Sequence, residues 1–339
     1  MTEQQFLMEL ENALKRLPSD ERNDILQDIR EYFMDGREDG KTDAEIAASL
    51  GSPIGIAEEL LAAYDFSEAE VNTPSANELM TIEKLYKNIN IDVQHGALTI
   101  MPSLGDVTTI ELVGRQDKMQ LTADVIADTL HVNLHGSWLW SFMFGLRSVT
   151  VNVLMPKKLY ETVTVKSDNG KIAAEKLLGQ RINIRSKNGR ISLTEMAASS
   201  LSAETNNGRI DIAKVQTDRL QAKTDNGRIE LRAIEAEHIA VESDNGRIQM
   251  VQVSGDITGT TDNGRISLQT DHLDRNIDLQ TDNGSIELQS DMKPTNVDIR
   301  AKTNHGRVDV FGGRNSRTVI GAGENVIRLK SANGRITVG

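Results

Sequence analysis

Residues 201–212 read Leu-Ser-Ala-Glu-Thr-Asn-Asn-Gly-Arg-Ile-Asp-Ile, and residues 220–231 repeat them as Leu-Gln-Ala-Lys-Thr-Asp-Asn-Gly-Arg-Ile-Glu-Leu. The shared phrase is Ser/Thr, any residue, usually Asn, Gly, usually a cation, then Ile. It occurs nine times, on Gly170, Gly189, Gly208, Gly227, Gly246, Gly264, Gly284, Gly306 and Gly334. The spacings of 19, 19, 19, 19, 18, 20, 22 and 28 residues mark a stacked-repeat architecture.

Alignment on the glycine exposes a pattern of parity. The residue seven before it is always aliphatic, from Val163 and Ile182 to Ile327, and the residue two after it is Ile or Val in every unit. Apolar residues therefore alternate at period two on both sides of an Asn-Gly corner, which predicts strand, corner, strand. Three before the glycine stands Ser or Thr in all nine units, with inward parity, so its hydroxyl is expected to bond the turn backbone. An apolar residue seven after the glycine in five successive units (Leu177, Met196, Val215, Ile234, Val253) predicts a short third side.

Asn-Gly between alternating hydrophobics also suits a chain of hairpins. A two-residue hairpin would set Lys187 opposite Arg190, a like-charge pair that costs stability. A parallel β-solenoid instead stacks each residue on its equivalent about 4.8 Å away. That explains the uniform turn column Asn169, Asn188, Asn207, Asn226, Asn245, Asn263, Asn283 and Asn333. A disguised turn around Gly96 places Ile89, Ile91, Val93, Leu98 and Ile100 inward, with His95 in place of Asn. The fold class is thus a small all-α domain followed by an all-β parallel solenoid of about ten coils, expected to be right-handed.

The expected boundaries are a helical domain at 1–64, a linker at 65–80 and the solenoid at 81–339, irregular over 81–160 and regular over 161–339. No cap is apparent after Val338, which predicts an open final edge and possible self-association there.

Hydrophobic residues make up 38% of the chain and aromatic ones 4%, enough for an aliphatic stack but for few aromatic-lined pockets. The absence of cysteine excludes disulfides and thiol chemistry. Without a leader-like N-terminus or a long apolar run, the chain is expected in the cytoplasm. Residues 1–72 hold 6 Lys/Arg against 18 Asp/Glu, while 73–339 hold 32 of each, so the acidity belongs to the helical domain. Phe6, Leu10, Leu14 and Leu17 read as a first helix, and Ile25, Ile29, Tyr32 and Phe33 as a second. Thr42 with Glu45 caps a third, and Ser52-Pro53 starts a fourth. The pair of helices over 42–64 lacks cations, which excludes a nucleic-acid partner.

The residue after the glycine is a cation in eight units: Lys171, Arg190, Arg209, Arg228, Arg247, Arg265, Arg307 and Arg335, with Ser285 the exception. Such a column is a candidate ladder for an anionic ligand or partner. The competing reading is neutralisation by Asp168, Asp225, Asp244, Asp262 and Asp282, which leaves the surroundings of Lys187, Arg190, Asn206 and Arg209 as the first places to seek a ligand. A second candidate is Trp138, Leu139, Trp140, Phe142 and Phe144, an aromatic run suited either to contact with a membrane or partner or to plugging the core. Calcium is disfavoured because a cation follows each glycine. The histidines share no ligand spacing and the acids recur as columns, so neither catalytic residues nor cofactors are expected.

The string Phe6-Leu7, Leu10, Leu14, Leu17-Pro18, Glu21-Arg22, Ile25, Leu50-Gly51-Ser52-Pro53 and Ile56-Ala57 resembles the HAAS helical domain of bacterial membrane-associated signalling proteins. The repeat region resembles the bacterial "putative adhesin" β-solenoid family, and the pairing is similar to the YvlB-type envelope-stress proteins of Gram-positive bacteria. The resemblance implies a non-enzymatic scaffold, peripheral at the inner face of the membrane, whose acidic helical domain docks a signalling protein. The alternatives are a surface adhesin or polysaccharide binder and, third, a polysaccharide-cleaving enzyme.

Overall fold

The computed structural model describes residues 1–17, 41–63, 78–114, 119–136 and 149–339, and within 18–40 only Arg22, Ile25, Leu26, Ile29, Arg30, Tyr32, Phe33 and Arg37. Two compact units result: one contains Met1–Asn77, and the other consists of Glu78–Val113, Gln120–His135 and Thr150–Gly339.

The first unit holds helices α1 (Glu3–Ala13), α2 (Asp43–Leu50) and α3 (Pro53–Ala63). Thr42 and Glu45 form the expected capping box, the Glu45 carboxylate accepting from the Thr42 amide at 2.8 Å. Thr2 and Gln5 form a second box that the sequence reading passed over. Phe6, Leu10 and Leu14 pack with Ile25, Ile29, Phe33 and Ile46, and the Phe6 and Phe33 rings meet edge to face at 5.7 Å.

The second unit is a parallel solenoid. Ile182, Leu201, Leu220, Ile239, Ile257 and Ile277 lie in register on successive coils, as do Ile191, Ile210, Ile229, Ile248, Ile266 and Ile286. Both columns are buried and form the aliphatic core. The third side exists and starts at a corner that no turn residue announces. Lys176, Glu195, Lys214, Ala233 and Gln252, each six after a corner glycine, adopt left-handed φ of 52–56°. Leu177, Met196, Val215, Ile234 and Val253 then turn inward and are buried.

Both ends are folded back into the stack. The Gly96 coil is second, not first: Asn88–His95 pairs in parallel with Leu159–Asn169 on one side and with Thr129–Gly136 on the other. Thr150–Met155 completes the outer coil and is covered by antiparallel Thr108–Val113, which Glu78–Ile82 covers in turn. Strand thus begins inside the stretch assigned to the linker.

At the other end the last strand in sequence, Ile336–Val338, is paired on both sides, with Ile286–Ser290 and with Val308–Val310. The expectation of an open final edge is therefore corrected. The Gly306 coil is outermost, and antiparallel Arg317–Ile320 covers part of it at Val297–Arg300. The ten corner glycines stack in the order Gly96, Gly170, Gly189, Gly208, Gly227, Gly246, Gly264, Gly284, Gly334, Gly306.

Candidate interaction surfaces

The corner is built from three columns. The inward hydroxyl ties adjacent coils: Thr224 Oγ1 accepts from the Gly227 amide at 3.1 Å and donates to Gly208 O at 3.1 Å, and Thr205 does the same one coil earlier. On the outside, each Asn donates Nδ2–H to Oδ1 of the Asn on the preceding coil. The chain runs from Asn188 onto Asn169 (2.7 Å) through Asn207, Asn226, Asn245, Asn263 and Asn283 to Asn333 (2.8 Å). At its start, Asn169 Nδ2 lies 3.3 Å from His95 Nδ1. Burial pushes the His95 imidazole below its ordinary pKa, which favours the neutral ring that this contact needs.

Four of the eight cations in the column are neutralised, but not by the acids the sequence suggested. Arg190 and Arg209 both reach Asp211 (2.7 and 2.6 Å), Arg209 and Arg228 reach Glu230 (2.9 and 3.6 Å), and Arg265 pairs with Glu287. These acids stand three after the glycine, on the same outward parity as the cation one after it. Asp168 instead holds Lys187 at 2.9 Å, and Asp225 accepts from Asn206 Nδ2 at 3.0 Å. The surroundings of Lys187, Arg190, Asn206 and Arg209 are thus already engaged. Lys171, Arg247, Arg307 and Arg335 have no ion-pair partner among the described residues. Trp138, Leu139, Trp140, Phe142 and Phe144 lie outside the described residues.

A feature the sequence reading missed sits at the N-terminal end. Leu159 and Leu178 are in register on adjacent coils and are 64% and 39% exposed. Leu85, 87% exposed, precedes Tyr86 as Leu159 precedes Tyr160, and the two Tyr rings stack at 5.9 Å. Lys158 covers both rings at 4.4 and 5.2 Å, and burial lowers its pKa. The result is an outward leucine ladder on an aromatic base. Its signal was present: eleven before the corner glycine, the first two units carry Leu and the next three Ala197, Gln216 and Glu235, with Ser254 in register after them.

Residues 86–339 match the Toastrack DUF4097 family. The chain belongs to it. Residues 5–59 match the HAAS domain. A comparison with curated proteins gives no match. Among solved structures, a putative adhesin from Parabacteroides distasonis aligns with 12% identity and a TM-score of 0.51, covering 78% of this chain and 97% of that one. A putative adhesin from Parabacteroides merdae aligns with 14% identity and a TM-score of 0.46, over the same 78% and 97%. The first of these likenesses concerns the fold alone. Within the Toastrack domain the leucine ladder borders a trough on the third side, where Ala197, Ala198, Ser199 and Ser200 leave little bulk.

Proposed function

We propose that the protein is a non-enzymatic scaffold, peripheral at the inner face of the cell membrane and linked to envelope-stress signalling, whose helical domain docks a protein partner. One observation carries the reading. Among the described residues of the solenoid, no large apolar side chain between Leu178 and Met292 is exposed, so the middle of the stack offers no apolar contact, while seven such side chains from Leu79 to Leu178 mark the N-terminal end. The charges along that stack are largely matched between coils, as suits a rigid spacer. No helix among the described residues is long and apolar enough to cross a membrane, so attachment in this reading is peripheral.

Cell fractionation of the full chain tests it. Recovery with the inner membrane is expected. The triple variant Leu85→Ser, Leu159→Ser, Leu178→Ser should shift to the soluble fraction with unchanged melting, because these side chains are exposed. Recovery in the wall or extracellular fraction would overturn the proposal and support surface adhesion or polysaccharide binding, the reading favoured by the names of the structural relatives.

A further inference from the structure

The neutral total over 73–339 hides a strong asymmetry. Residues 292–339 carry nine Lys/Arg against three Asp/Glu. All three acids are engaged locally: Asp298 with Arg300 (2.6 Å) and Arg317 (2.9 Å), Asp309 with the Gly312 amide (2.9 Å), and Glu324 with Asn296 Nδ2 (2.8 Å). Lys302, Arg307, Lys330 and Arg335 are exposed and have no ion-pair partner among the described residues.

These four cations occupy two adjacent coils. Lys302 lies directly opposite Lys330, and Arg300 opposite Arg328. Arg307 and Arg335 precede the paired residues Val308 and Ile336. Like charges set opposite one another across a ladder destabilise it. Cations do guard exposed strand edges, which accounts for Lys302 and Arg307 on the outermost coil. It does not account for Lys330 and Arg335, whose strands are paired on both sides. At the same end Phe311 is 40% exposed with φ of 51°, an unfavourable backbone for a bulky residue. The two outermost coils thus carry these four cations, unpaired among the described residues, and one exposed aromatic side chain.

The densest anionic stretch of the sequence is residues 1–72, with 18 acids against 6 cations. We propose that the basic C-terminal end of the solenoid docks the acidic N-terminal domain of a second copy, so that copies associate head to tail. A heterologous contact of this kind extends into chains rather than closing as a symmetric pair. It uses the opposite end of the solenoid from the leucine ladder, so either reading can fail alone.

The test is sedimentation velocity of the full chain at about 0.02 M and about 0.5 M salt, a range over which the screening length shrinks several-fold. At low salt the average mass should rise with concentration at least about twofold, and at high salt it should stay monomeric. Two charge-swapped variants give the specific outcome. One carries Lys302→Glu, Arg307→Glu, Lys330→Glu and Arg335→Glu, and the other carries Glu9→Lys, Glu11→Lys and Glu58→Lys, all at exposed positions. Each should associate less than the parent with melting close to the parent's, the fourfold variant remaining monomeric. A parent that is monomeric at every concentration, or association that survives the fourfold reversal, would overturn the proposal. Binding of phosphatidylglycerol vesicles by the monomeric parent, lost in the fourfold variant, would also overturn it and assign the surface to lipid.

Discussion

A methyl group added to Gly208 would fall on the carbonyl oxygen of Gly189, and the same clash recurs down the corner column. The sequence suggests glycine for the shape of the turn, yet from Gly170 onward the corner glycines do not have positive φ. What fixes glycine there is the approach of the next coil, a requirement invisible in any one repeat. Gly208→Ala should therefore destabilise by about 3 kcal/mol or more, as overpacking into backbone does. Gly105→Ala meets open space and should change stability by less than about 0.5 kcal/mol. Urea denaturation of the two variants checks the contrast; equal midpoints would show that the column tolerates a side chain.

At the scale of elements, the strand Arg317–Ile320 is held on Val297–Arg300 by its ladder and by Asp298, which is almost fully covered and bound by Arg317 through two bonds of 2.9 Å and by Arg300. Bonds from Arg317 and then Arg300 hold the Asp298 carboxyl well below the usual carboxylate range. Its folded pKa is depressed, so its contribution is complete above the unfolded value near 4 and fades as pH falls toward the folded one. Asp298→Asn should lower amide protection over 317–320 at pH 7, and the difference from the parent should shrink below about pH 4. Equal protection at neutral pH would remove Asp298 from the clamp. Strands and inward columns were legible because alternation records burial directly. The second corner was not, since Lys176, Glu195 and Lys214 carry no turn chemistry, and neither was the return of both chain ends into the stack, because sequence order does not state stacking order. The cation column was legible, but its partners were misassigned: proximity to the glycine in sequence favoured Asp225 and Asp244, whereas outward parity selects Asp211 and Glu230.

For the whole molecule, in-register stacking makes the regular region a sum of equivalent layers in which each coil touches only its neighbours. Excision of residues 209–246 removes two whole units and joins Gly208 to Arg247, so every column stays continuous: Asn207 would meet Asn263, and Thr205 would lie beneath Thr261. The shortened chain should fold, keep cooperative unfolding and lose about a seventh of the solenoid's denaturant m-value, because that slope follows the surface exposed on unfolding. Excision of 210–246 is one residue shorter and leaves an extra residue directly after the corner, which turns every following side chain of that strand to the opposite face. That variant should fail to fold cooperatively. Circular dichroism and urea titration separate the outcomes. A cooperative shorter excision would mean that register is held by the hydroxyl and asparagine columns of the corner rather than by the aliphatic core. The two-unit excision spares both ends, so the leucine ladder and the basic cap should keep their separate binding behaviour in the shortened protein.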